Sequence, residues 1–327
     1  MTDTRSTYTA QCLPDLLDLL PALFGFSPKE SFIAIATHGK SRRFGFRLRM
    51  DLPPLEQVGS AAAQVAAYLR RQQPDGAVLI AVTDRGSEAD ALVAAVKAEL
   101  TDIPVQDAVR TDGEQYWAYG PAGPGIGKPY VSRCSPAVVG AIVGGMQILP
   151  DRGALVARFA AVSGARKVAM AAATDKVLGV ALAELAETPR ADLCALGLAR
   201  IRPIIESHEM GKAPTDVELA TLATWASSVQ VRDHLWARMS RETAETTLAL
   251  WTAVAQSVVE PFEAPVLCLA AFSAWLVGDG TQALIAIERA LKAEPGYSMA
   301  KLILQTLDSG MSPEHWDGFD PDESTTS

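Results

Sequence analysis

The chain has 327 residues, of which 49% are hydrophobic and 20% charged. That is apolar material for about two packed domains, and it excludes an intrinsically disordered chain or a disulfide-stapled mini-fold. The formal net charge of −9 disfavours nucleic acid or an anionic membrane as a partner, because affinity for either comes from neutralising phosphates.

Residues Met1 to Ala10 are polar, and the apolar stretch behind them is broken by Asp15, Asp18 and Pro21. Neither a secretory leader nor a membrane span fits that pattern, so a cytoplasmic location is expected. Asp15 to Phe24 has helical spacing. Ser31 to Thr37 is β-prone, His38 to Ser41 is a turn, and Arg43 to Asp51 alternates, so the three pieces predict a hairpin. In its second strand Phe44, Phe46, Leu48 and Met50 fall on one face and feed a core, while Arg43, Arg47, Arg49 and Asp51 make a polar face.

After Pro53-Pro54 the pattern gives a helix over Leu55 to Gln73, a strand over Ala77 to Thr83, a helix over Glu88 to Leu100 and a strand over Val105 to Arg110. Such a series predicts parallel neighbours with helices packed on the sheet, since parallel strands need crossover connections. Asp112-Gly113 then turns the chain into Gln115 to Tyr119, a second hairpin. From Ser135 onward the strand signal vanishes. Thr188-Pro189 reads as an N-cap with proline in the first turn, and Thr215-x-x-Glu218 as a capping box. Leu248, Trp251, Ala255 and Val258 form one stripe of a helix beginning near Arg241. Ala271, Ala283, Ala290 and Pro295 have tetratricopeptide-like spacing across two helices and the start of a third. The expected fold is therefore a mixed-sheet α/β domain with hairpins over residues 1–134, an all-α, tetratricopeptide-like domain over 135–312, and an acidic disordered tail over 313–327.

No complete set of catalytic residues stands out. The four cysteines, Cys12, Cys134, Cys194 and Cys268, are scattered and read as buried free thiols; the four histidines lie far apart. No cofactor and no metal is expected. The glycine-rich segment Gly120 to Pro129 invites a phosphate-loop reading, but Lys128 is followed by Pro129 rather than Ser or Thr, so it reads as a hairpin exit or linker. Lys40, Arg42, Arg43, Arg47 and Arg49 form the densest charge. They suit either an anionic ligand or a solvated face in which Arg49 and Asp51, two residues apart on one strand, form an ion pair.

Several strings together resemble a known family. They are Asp15-Leu-Leu with Gly25-Phe26 and Pro28, Arg49-x-Asp51-Leu52-Pro53, Arg110-x-Asp112-Gly113 with Trp117 and Tyr119, Leu149-Pro150-x-Arg152, and Trp275-Leu-x-Gly278-Asp279-Gly280 with Pro295-Gly296-Tyr297. In combination they resemble the actinobacterial domain-of-unknown-function family four-one-nine-two over nearly the whole chain. The resemblance implies an actinobacterial, cytoplasmic protein and brings no activity with it. Its strings do single out charged residues in apolar surroundings: Asp15, Arg49, Asp51, Arg110, Asp112 and Arg152. Such residues are rarely buried unless paired, and the expectation is that they converge at a sheet end. There they would form either a rigidifying hub or a pocket for a small anionic metabolite. The functional expectation is a non-enzymatic interaction or regulatory module that binds a protein partner or its own copy; the alternative is an enzyme or binding protein for an anionic metabolite at those six residues.

Overall fold

The computed structural model describes residues 10–133, 135–143 and 147–319. The chain divides into two compact units between Leu155 and Val156, later than the expected boundary at 134/135.

The first unit runs α1 (Leu13–Phe24), β1 (Ser31–His38), β2 (Arg43–Asp51), α2 (Val58–Arg71), β3 (Gly76–Val82), α3 (Gly86–Glu99), β4 (Val105–Thr111), β5 (Gln115–Gly120), β6 (Gly123–Pro124), β7 (Lys128–Pro129) and α4 (Pro136–Val143); the division falls within α5 (Arg152–Arg158). Helix α1 starts with proline in its first turn. It stops at Gly25, whose φ of 72° gives the left-handed cap that a side chain would strain. The sheet order is β2-β1-β3-β4-β5-β6, with β7 also on β5. Strand β1 lies antiparallel between β2 and β3, and β3 and β4 are the parallel pair. The sheet is mixed, as the sequence implies. The glycine-rich segment is a correction: instead of a linker it supplies β6 and β7, which pair with β5, and Lys128 lies in β7.

One face of the sheet packs Phe32, Ala34, Leu79 and Ala81 against Val65 and Leu69 of α2 and Leu92 and Val96 of α3, with Phe46, Leu48 and Met50 of β2 partly buried beside them. The other face is equally apolar, with Ile33, Ile35, Val78, Ile80 and Val109 buried. A central strand covered on both sides needs a continuous apolar run, which β1 has. The expected all-polar face of β2 is corrected accordingly: the Arg49 side chain is only 8% exposed.

The second unit is helical: α6 (Gly164–Glu187), α7 (Leu193–Glu209), α8 (Asp216–Ala226), α9 (Val229–Ala237), α10 (Ala244–Ala255), α11 (Glu263–Val277), α12 (Gly280–Ala293) and α13 (Ser298–Asp308). Helix α11 is its centre, buried on all sides. The capping box at the start of α8 forms with both of its bonds, Thr215 N–H to the Glu218 carboxylate at 2.7 Å and Glu218 N–H to the Thr215 hydroxyl at 3.4 Å. Thr188 does not cap a following helix; it ends α6, its hydroxyl donating to the Glu184 carbonyl at 2.7 Å, and α7 begins only at Leu193. Helix α10 starts at Ala244 rather than near Arg241, and Val258 lies beyond its end, although Trp251, Ala255 and Val258 are buried as expected.

The tail reading is corrected over the residues described. Trp316 stacks on Trp236 with ring centroids 6.0 Å apart and meets Phe272 edge-on at 4.7 Å, while its indole N–H donates to the Met239 carbonyl at 2.8 Å. Phe319 closes the cluster against Trp236 at 5.2 Å. An acidic composition hid two aromatic anchors; residues 320–327 lie outside the described residues.

Candidate functional site

The carboxyl end of the parallel pair β3 and β4 is where open α/β sheets place ligands. Because β1 runs antiparallel between β2 and β3, its first residue, Ser31, comes to the same end as Asp51 and Val82. Glu30, in the left-handed region at φ 46°, sits just before β1. Its carboxylate accepts from the Thr83 hydroxyl at 2.9 and 3.0 Å and from Arg85 Nε at 2.8 Å. Arg85 also donates to the Leu52 carbonyl at 2.9 Å, and its own N–H to the Thr83 hydroxyl at 3.0 Å. Beside this group, Arg49 Nε donates to the Ser31 hydroxyl at 2.9 Å, and the other end of its guanidinium lies 2.6 Å from Asp51. Burial lowers the Arg49 guanidinium from its ordinary value; Asp51 opposes the shift and Arg152 adds to it. Arg49 therefore interacts with both Asp51 and Arg152.

Arg110, Asp112 and Asp15 do not join them. Following the register across the strands, Arg49 aligns with Ile33, Ile80 and Val109, whereas Arg110 aligns with Ala81, Phe32 and Met50. Neighbours across a ladder share a face and successive residues alternate, so the two arginines lie on opposite faces of the sheet. Arg110 lies over the Trp117 ring at 3.7 Å, and a Cβ at Gly86 would stand 3.4 Å from its guanidinium. Asp90 lies 4.0 Å from Arg110 Nε and accepts from the Tyr119 hydroxyl at 2.6 Å. Burial, with that bond to Asp90, drives the Tyr119 phenol above its ordinary value. The Trp117 and Tyr119 pair is thus occupied by Arg110 and Asp90.

Asp112 closes the β4–β5 turn, one oxygen accepting from the Glu114 and Gln115 N–H groups at 2.8 and 2.7 Å. Burial works against its charge, yet those amides hold its carboxyl below the usual range. Asp15 accepts from the Gln11 N–H at 3.0 Å at the start of α1. One turn on, Asp18 is buried and makes a separate group of bonds. One of its oxygens accepts from the Tyr130 hydroxyl at 2.7 Å, the Ser132 hydroxyl at 3.0 Å and the Arg133 N–H at 3.1 Å. Glu30, Thr83, Arg85 and Asp18 were not identified from the sequence.

The cysteine reading holds for Cys268, which is buried and whose thiol burial drives upward. Cys12 is exposed, and Cys194 is half-buried with its sulfur 3.6 Å from His234 Nδ1; Cys134 lies outside the described residues. The same Nδ1 lies 2.9 Å from the Gln230 carbonyl. A carbonyl only accepts, so this nitrogen carries the proton and cannot take one from the thiol. Among the described residues no group of three His, Cys, Asp or Glu could hold a metal ion, and no helix is long and apolar enough to cross a membrane.

In the helical unit a groove of about 320 Å³ opens between α6, α7, α8 and the turn before α11. Leu178, Leu182, Leu185, Leu193, Trp225 and Phe262 line it, and the Thr224 hydroxyl in its wall is buried with no hydrogen-bond partner. Leu182 is 63% exposed at its rim.

No curated protein and no solved structure matches the chain. Residues 14–314 match the family described as domain of unknown function, DUF4192. That span takes in Asp18, the charged end of the sheet and every helix lining the groove, so the chain belongs to the DUF4192 family.

Proposed function

We propose that the chain is a non-enzymatic protein-interaction module whose helical unit receives an apolar segment of a protein partner. The groove beside α6 carries this reading. Its volume is at the small end of the range for ligand sites, and its lining is that of a helix-in-groove or peptide-docking surface. The Thr224 hydroxyl, with Ser228 and Gln230 also in the lining, supplies a polar contact of the kind that fixes orientation in an apolar site. The tetratricopeptide-like spacing of α11, α12 and α13, with Ala271, Ala283 and Ala290 buried, belongs to the same reading. A photo-crosslinking residue at Leu182 in the full chain, irradiated in the source cells, is expected to give a discrete protein adduct that Leu185→Glu removes. An adduct no different from that of the same probe at Arg190, or a small molecule carried in the groove instead of protein, would overturn the reading.

A second reading is favoured by one observation: the buried Arg49 guanidinium, 2.6 Å from Asp51 at the end of the sheet, also feels the charge of Arg152. Two like charges at the carboxyl end of a sheet suit an anion. Titration with inorganic phosphate is then expected to raise the thermal midpoint of the full chain but not of Arg49→Met. Equal midpoints with and without phosphate would end this reading and leave the end of the sheet as a structural hub.

A further inference from the structure

Helix α4 of the sheet unit is apolar from end to end, Pro-Ala-Val-Val-Gly-Ala-Ile-Val. At 100° per residue Ala137, Gly140 and Ala141 fall on one side of it, and Pro136, Val139, Ile142 and Val143 on the other. The small side turns inward: Ala137 is buried, Gly140 and Ala141 are half-buried, and α4 rests on α1. The large side faces out, with Val139 46%, Ile142 53% and Val143 82% exposed. A helix on the surface of a globular core ordinarily buries its large apolar side chains and gives charge to the water. Helix α4 does the reverse.

From Ser135 to Leu149 the chain has no ionisable residue. An uncharged apolar run of that length is too short to cross a bilayer, and belongs either to a buried core helix or to a segment lying in the membrane interface. The exposure of Val139, Ile142 and Val143 removes the first alternative. Charge points the same way. The whole chain carries −9, yet from Gln115 to Pro150 there is no Asp or Glu, and Lys128 and Arg133 are the only charged residues. Both are exposed. The Arg133 N–H is held at 3.1 Å by Asp18 of α1, the helix on which α4 rests. A second copy of this surface would set cation near cation and bring no carboxylate, so self-pairing is disfavoured. Large apolar side chains with cations beside them suit a lipid surface of negative charge. We infer that the sheet unit docks on an anionic lipid surface through the outer side of α4. Val139, Ile142 and Val143 enter the boundary between headgroups and acyl chains, while Arg133 stays at the level of the phosphates. The acidic remainder of the chain confines the contact to this side. So few inserted side chains make a reversible anchor, no stronger than a single acyl chain. The inference goes beyond the groove and uses the other unit.

Flotation of the full chain with vesicles at about 1 mM lipid tests it. Vesicles of equal parts phosphatidylcholine and phosphatidylglycerol are expected to carry the protein, and phosphatidylcholine alone to bind it about fivefold more weakly or less. Ile142→Glu should weaken binding to the mixed vesicles by about tenfold or more, since it removes an inserted side chain and adds a charge of the wrong sign. Val143→Trp, which adds a ring that favours the interface, should strengthen it by about threefold. Arg133→Gln keeps the backbone bond to Asp18 and should lower the affinity for the mixed vesicles about fivefold. Because Ile142 is exposed, Ile142→Glu should leave the thermal midpoint within about 2 °C. A chain that floats with neither kind of vesicle, or binding indifferent to both Ile142→Glu and Val143→Trp, would overturn the proposal. So would a fall of many degrees in Ile142→Glu, the sign of a side covered within the chain, or a two-chain species in sedimentation velocity that Ile142→Glu dissociates, the sign of a second copy seated there.

Discussion

Helix α11 buries thirteen of its fifteen residues, while α6, in the same helical unit, buries four of twenty-four. Both are rich in Ala, Val and Leu. The difference lies in what surrounds them: α8, α9, α10, α12 and α13 close around α11, whereas α6 packs chiefly against α8. Alanine holds the exposed helix together through its intrinsic propensity, so α6 does not need a covered outer side in order to fold. Apolar surface that folding leaves over is available for association. The charged residues of the sheet unit show the opposite economy. Glu30, Thr83, Arg85 and Asp18 each spend their hydrogen bonds on their own unit, and the groove beside α6 is left as a surface with something to offer.

The sharpest way to break the comparison is to remove the same kind of atoms from both helices. Leu267, fully buried in α11, is expected to lose about 2–5 kcal/mol on substitution by Ala, the cost of lost transfer energy plus a cavity. Val168→Ala in α6, at an exposed position, should stay within about 0.5 kcal/mol in the monomer. Urea denaturation of both variants below the concentration of any self-association checks this. A Val168→Ala loss comparable to that of Leu267→Ala would mean that the outer side of α6 is already covered within one chain.

Next in size is Asp18. Its Oδ1 receives three donors, and replacing it by Ala leaves the Tyr130 and Ser132 hydroxyls and the Arg133 N–H without that acceptor. Of these only Tyr130 is buried, and stranding a buried donor costs about 1–3 kcal/mol. Asp15→Ala, which gives up only the Gln11 N–H, should cost less than half as much by the same denaturation measurement. Equal losses would show that Asp18 holds α1 no more firmly than Asp15 does.

What could be read from the sequence follows the same division between local and non-local causes. The hairpin of β1 and β2, the β3-α3-β4 unit and the turn at Asp112-Gly113 were legible because period and turn chemistry are local. The strand order was not. Only the insertion of β1 between β2 and β3 brings Glu30 to Thr83 and Arg85, and nothing within a few residues of Glu30 announces it. Likewise Arg49 and Arg110 are on opposite faces because of the register across four strands, a property no single strand carries. Asp15 and Asp18 are three residues apart on one helix side, and which of them is buried depends on the segment from Tyr130 to Arg133 lying against it. Trp316 and Phe319 were masked by acidic neighbours: composition describes a segment's average, whereas docking depends on its two largest side chains.

The smallest effect concerns how α6 is held at its beginning. Ser163, its N-cap residue, makes no side-chain cap bond; instead Arg166 reaches Asp216 at 2.6 Å, in the first turn of α8. The start of α8 therefore anchors α6 as well as itself. The Thr215 N–H, and after it the Thr215 hydroxyl, hold the Glu218 carboxyl below its ordinary value of 4.5. A depressed carboxyl contributes stability above the unfolded-chain value and loses it as pH falls through the folded one. Glu218→Gln keeps the shape of the capping box and removes the charge at a helix N-terminus, so at pH 7 it should cost about 0.3–1 kcal/mol. At a pH below the folded value the native carboxyl is itself neutral and the two proteins should converge. Urea denaturation at both pH values reads the difference, and a gap that persists undiminished in acid would show that the carboxylate charge is not what steadies the joint between α8 and α6.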